Sequence, residues 1–100
     1  MEKRKPSYDL AAVQAVLGTT LATTTTAAID AAALGYDGAG IMEVIRSITP
    51  AMFYKSMTTF ADHRLWQDVY YVPTEDGLLL YVKFQADVVT EFKLVSFKEK

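Results

Sequence analysis

The spacing of apolar residues changes once along the chain, and that change restricts the fold more than any other feature. Ile41, Val44, Ile45 and Ile48 recur at i, i+3, i+4 and i+7, the stripe of an amphipathic helix. Past Thr49-Pro50 the period becomes two, as in strands whose side chains alternate between the faces of a sheet. Helices therefore come first and strands follow. That order predicts an α+β fold, with the helices packed on one face of a mainly antiparallel, twisted sheet and the other face available.

Local signals divide the two halves. Met1 to Pro6 reads as a short basic arm, and Ser7 or Asp9 is placed to cap a helix through Leu10, Val13, Val16 and Leu17 that ends at Gly18. The β-branched run at Thr20–Thr24 reads as a short strand or turn. Thr25 or Thr26 then caps a helix over Ala27–Leu34, stopped by Gly35, and Asp37 opens a third over Gly38–Ser47. Thr49-Pro50 starts one further turn. Strands are predicted at Lys55–Phe60, Leu65–Val72, Leu78–Phe84 and Val89–Phe97. Ala61-Asp62-His63 joins the first two, and the Asp-Gly of Thr74-Glu75-Asp76-Gly77 is a strong hairpin signal between the next.

Composition sets limits on function. One hundred residues is the length of one domain, expected to span 1–100, and 51% hydrophobic residues allow a core to form. No apolar run approaches the ~18 residues of a membrane span, and MEKRKPSYD lacks the apolar segment of a signal peptide. The absence of Cys excludes disulfides and thiolate metal sites and fits a reducing cytoplasm. With one His, a zinc site built by the protein is not expected. The net charge of −2 argues mildly against bulk attraction to nucleic acid, but both ends of the chain are basic and the middle is acidic, so a face shared by the two ends is locally positive.

Phe53 to Tyr71, FYKSMTTFADHRLWQDVYY, holds the only His, the only Trp and a concentration of aromatics at the helix-to-sheet switch. Alternation puts Gln67, Val69 and Tyr71 on one face, opposite Trp66, Asp68 and Tyr70. It also puts Leu79, Tyr81 and Lys83 opposite Leu78, Leu80, Val82 and Phe84, a set that is plainly core. Each polar member has an ordinary reading as well. Lys55 can be a solvated lysine at an element boundary, Gln67 a sheet-surface amide, Tyr81 a half-buried ring with a wet hydroxyl, and His63 a loop residue without a role. No phosphate loop, metal motif or nucleophile–base pair is present.

The motifs FYKSMTTFADHRLWQDVYY, LLLYVKF and LVSFKEK, with the MEKRKP start, resemble the motility quorum-sensing regulator (MqsR) toxins, a RelE-like branch of messenger-RNA interferases. The resemblance covers nearly the full length. It implies a metal-independent endoribonuclease without a cofactor, acting in the cytoplasm on mRNA at short GC-containing sites and neutralised by a cognate, MqsA-like antitoxin. DNA would be reached only through that antitoxin. The resemblance leaves open whether message is cut free or on the ribosome.

The resemblance carries catalytic roles onto Lys55, Gln67 and Tyr81. RNA brings its own nucleophile, the 2′-hydroxyl, so cleavage needs a proton acceptor, stabilisation of the phosphorane and a donor for the leaving 5′-oxygen. Lys55 is then the phosphorane stabiliser or a base of depressed pKa, Tyr81 the acid or hydrogen-bond donor, and Gln67 a positioning group. Arg64, Lys83 and Lys98 are candidates for holding the RNA backbone, and Trp66, Tyr70 or Tyr71 for stacking a base. The alternative is a binding-only protein that keeps the fold and the antitoxin surface but cleaves weakly.

Overall fold

The computed structural model describes residues 1–100. The elements are β1 (Glu2–Lys3), α1 (Leu10–Leu17), α2 (Thr25–Ala33), α3 (Gly38–Ser47), a short 3-10 turn (Pro50–Met52), β2 (Phe53–Thr58), β3 (Trp66–Pro73), β4 (Leu79–Asp87) and β5 (Glu91–Glu99). The five strands form one sheet in the order β1-β2-β3-β4-β5, each pair antiparallel. This is the predicted α+β arrangement, with three helices against an antiparallel sheet. No helix is long and apolar enough to cross a membrane.

The helices form where caps and apolar spacing allow. The Asp37 side chain accepts from the amide of Gly40 at 2.8 Å and starts α3 as predicted. Helix α2 is capped one residue earlier than expected, by Thr24, whose hydroxyl accepts from Ala27 N, so the helix starts at Thr25. The Thr20–Thr24 run makes only an isolated parallel bridge, Thr23 to Leu94, that ties the loop to β5. Gln14 on α1 donates from Nε2 to the carbonyls of Ile45 and Ile48 at 3.0 and 2.8 Å, satisfying the end of α3. Arg46 returns a bond to the Gly18 carbonyl. A Cβ at Gly18 would collide with the Gln14 backbone oxygen and lie 2.8 Å from Arg46 Cγ, so this close crossing needs glycine.

The strand inside the basic arm is the element that sequence did not reveal. Glu2 and Lys3 pair with Met57 and Ser56 as an edge strand, too short to show any period. The turn after it is anchored by Asp68, which is fully buried in β3. Its carboxylate accepts from the amides of Ser7 and Tyr8 at 3.0 Å, so a buried charge is satisfied by the chain entering α1.

Core side chains come from the helix-facing side of the sheet. Val13, Leu17, Ala27, Ala31, Ile41, Ile45 and Ile48 pack on Tyr70, Val72, Leu80, Val82, Phe84, Phe92, Leu94 and Phe97. Phe53, Tyr70 and Phe84 continue the contact, with ring centroids 5.5 Å apart in each step. No helix covers the opposite, outer side of the strands, where the candidate residues Lys55, Gln67 and Tyr81 lie.

Candidate active site

Strand register arranges the outer face in three rows, since cross-strand partners lie on one face. Glu2, Met57, Gln67, Gln85 and Lys93 form the first, Lys55, Val69, Lys83 and Ser96 the second, and Tyr71, Tyr81 and Lys98 the third. Neighbouring rows are two residues apart along β2, β3 and β4, about 7 Å, while a bulge puts three residues between Lys93 and Ser96 on β5. Val69 belongs to this face and is absent from the helix-side core, yet it is 0% exposed. The long side chains around it therefore close over a small apolar floor.

A β-bulge turns Lys55 outward. Simple alternation would put Phe53 and Lys55 on the same face, but Phe53 pairs with Tyr70 and Lys55 with Val69, leaving Tyr54 as the extra residue. Phe53 stays in the core, Lys55 joins the outer face, and the Tyr54 ring stacks on Tyr71 at 4.4 Å. Tyr81 stands beside Tyr71 at 6.0 Å. Cations surround this tyrosine row: Lys55 and Arg4 lie 5.4 and 5.5 Å from the Tyr54 ring, Lys98 and Lys83 5.4 and 5.9 Å from Tyr81, and Lys100 5.1 Å from Tyr71.

The electrostatics separate these groups. Lys55 Nζ contacts Glu2 Oε1 at 2.8 Å, with side-chain exposures of 19% and 59%. The hydrogen bond to Glu2 raises the Lys55 pKa, and the same bond lowers that of Glu2. Burial raises the Tyr81 hydroxyl, which stays protonated at neutral pH, and the nearby Lys55 charge opposes that shift. Lys83 moves the other way, lowered first by burial and then by Lys98 and Lys55. The Gln67 amide donates to Gln85 Oε1 at 2.7 Å, which fixes its side chain along the first row.

Lys55, Gln67, Tyr81, Lys83 and Lys98 thus share one face. Arg64 and Trp66 do not join them. Arg64 lies in the β2–β3 loop with its side chain 93% exposed, paired to Asp62 at 3.4 Å. Trp66 pairs with Thr58 on the helix side, and Lys3 Nζ sits 4.2 Å over its ring. Tyr70, considered for base stacking, is 1% exposed in the core. His63 lies in the same loop as Arg64. The one cavity, of about 440 Å³, is elsewhere, between α3 and the β3–β4 turn, and carries Glu43, Glu75 and Asp76. No three His, Cys, Asp or Glu side chains converge as a ligand set.

Residues 5–99 match the family described as "Motility quorum-sensing regulator, toxin of MqsA". Over 101 residues, covering all of both chains, the sequence is 41% identical to the "mRNA interferase toxin MqsR" of Escherichia coli (strain K12). The chain belongs to the MqsR toxin family. The resemblance drawn from its motifs is therefore correct.

Sequence reasoning missed four members of this face. Glu2 comes from a strand of two residues that carries no pattern. Tyr54 and Arg4 reach it through the bulge and the edge strand. Gln85 was within reach, because Tyr81, Lys83 and Gln85 continue the same alternation along β4.

Proposed function

We propose that this protein is the mRNA-cleaving toxin of a toxin–antitoxin pair, an endoribonuclease that cuts RNA by attack of the 2′-hydroxyl without a metal. The observation that carries the reading is the gathering of Lys55, Gln67 and Tyr81, from three strands, on the sheet face that no helix covers. Membership of a family described as toxins, and likeness to a relative named as an mRNA interferase, support the reaction class.

The chemistry follows from charge. A phosphate over Val69 lies between Lys55 on β2 and Lys83 on β4, strands about 10 Å apart. Two ammonium groups reaching inward from that distance stabilise the dianionic phosphorane. Held charged by Glu2, Lys55 is the stabiliser of this pair and not the base. The Tyr81 hydroxyl, kept protonated, donates to the leaving 5′-oxygen. Gln67, braced by Gln85, positions the ribose on the other side. Lys98, beside the Tyr81 ring, steers the backbone, and Arg64 contributes from the loop at long range.

The substrate is message at short GC-containing sites, and the location is the cytoplasm. A cognate, MqsA-like antitoxin silences the protein, and the outer edge of β5 past the loop bridge at Leu94 offers it strand addition. The test is purified protein on naked RNA with a chelator present. Products ending in a 2′,3′-cyclic phosphate and a 5′-hydroxyl are expected. A 5′-phosphate, or cutting that requires Mg²⁺, would refute the mechanism. RNA left intact unless ribosomes are added would make ribosome-bound message the substrate.

A further inference from the structure

The proposed reaction lacks one participant. Lys55 and Tyr81 are both protonated at neutral pH, so neither takes the proton of the attacking 2′-hydroxyl. Gln67 and Gln85 are not bases, and Lys83, though lowered by burial, serves as the second ammonium over the phosphate in the middle row. The outer rows contain one carboxylate beside Lys55, that of Glu2, which β1 carries to the first row. Its Oε1 holds Lys55, and no group of the chain donates to its Oε2. Asp87 and its cross-strand partner Glu91 lie at the far end of this face, and Asp87 is committed to the β4–β5 turn, where it accepts from Thr90 and Val89 and pairs with Lys93.

Position favours the same group. In-line displacement requires the attacking and leaving oxygens on opposite sides of phosphorus. The middle row holds the two cations, Lys55 and Lys83. Glu2 and Gln67 stand in the row to one side, and Tyr81 stands in the row to the other. A ribose lying toward the first row puts its 2′-hydroxyl at Glu2 and sends the 5′-oxygen toward Tyr81.

We propose that Glu2 is the catalytic proton acceptor of this face, an inference that rests on the ribonuclease reading above. The 2′-hydroxyl proton passes to Glu2 Oε2 as the oxygen's electron pair forms the new O–P bond. The P–O5′ bond breaks with its electrons on O5′, which takes the Tyr81 proton. Water then removes a proton from Glu2 and returns one to Tyr81, so the net change is transesterification with no other reactant. The groups facing Glu2 are Lys55 on β2, Arg4 on its own segment, the Met1 amino group and Tyr81 on β4. All but Tyr81 are cations that keep the carboxylate ionised between turnovers.

A leaving-group experiment separates the base from the acid. Single-turnover cleavage of a short RNA is compared with that of the same RNA carrying sulfur in place of the bridging 5′-oxygen, whose thiolate leaves without a proton. Glu2→Gln, which keeps a hydrogen bond to Lys55, is expected to lose about 10²- to 10⁴-fold on both substrates. Tyr81→Phe should lose activity on oxygen and recover on sulfur. The wild-type rate should stay level between about pH 6 and 8 and fall only as pH drops below the ordinary carboxylate range, because Lys55 holds Glu2 low. Melting curves of Glu2→Gln report any loosening of β1. Full activity of that variant, recovery of it on sulfur, or a wild-type rate that climbs through pH 9 as a lysine deprotonates would each overturn the role of Glu2 alone. Failure of the wild type to cut either substrate would overturn the ribonuclease reading and this inference together.

Discussion

The two faces of the sheet are built from the same strands and the same alternation, but they answer to different physics. The helix side takes every second residue for packing: Tyr70, Val72, Leu80, Val82, Phe84 and Phe97 lie against three helices. The outer side takes the residues between them, Gln67, Tyr71, Tyr81, Lys83 and Lys98, and leaves them uncovered. The helix face determines whether the chain folds, and in the proposed function the outer face does the chemistry. A chain of this length has room for a core on only one side of its sheet. The polar side costs little stability because its charges stay partly hydrated, and Glu2, Gln85 and the tyrosine row orient them.

Changes on each face sharpen this division. The largest effect is expected from Phe84→Ala on the helix side. Loss of a fully buried ring should lower unfolding free energy by about 3–5 kcal/mol in urea titration, while the fraction still folded cleaves RNA at the normal rate. Tyr70 gives a smaller, pH-bound effect. Burial raises its hydroxyl from 10.0 to about 12, so the unfolded chain ionises first as pH rises. The stability tied to the neutral hydroxyl is present below about pH 10 and is lost between there and about pH 12. Tyr70→Phe should flatten that alkaline loss in stability curves, and an unchanged curve would remove Tyr70 as its cause. The smallest effect is expected at Arg64, exposed and paired only with Asp62. Arg64→Ala should change stability by less than about 0.5 kcal/mol, and it should weaken RNA binding less than Lys98→Ala does in salt titrations.

Much of the scaffold was legible in the sequence, because local rules specify it. The Ile41, Val44, Ile45 and Ile48 spacing and the Asp37 cap placed α3, the change to period two announced the sheet, and Asp-Gly marked the β3–β4 turn, where Gly77 adopts a φ of 90°. Alternation also placed Gln67, Tyr81 and Lys83 on their faces. What it missed is non-local. The bulge at Tyr54 reverses the facing of Phe53 and Lys55, and nothing in FYK announces it. Asp68 finds its donors some sixty positions earlier, at Ser7 and Tyr8. Glu2 meets Lys55 only because β1 returns to the sheet edge. The outer face could be read as polar, but its pairings depend on register, which one strand's sequence does not contain.

The division of labour between the faces is tested most directly by Lys55→Ala, with RNA cleavage and thermal midpoint measured on the same preparation. The account expects cleavage to fall by about 10²- to 10³-fold, the loss of an electrostatic stabiliser, while the midpoint moves by no more than a few degrees, as suits a partly hydrated ion pair at the sheet edge. Cleavage at the wild-type rate, or activity lost only in proportion to unfolding, would contradict it.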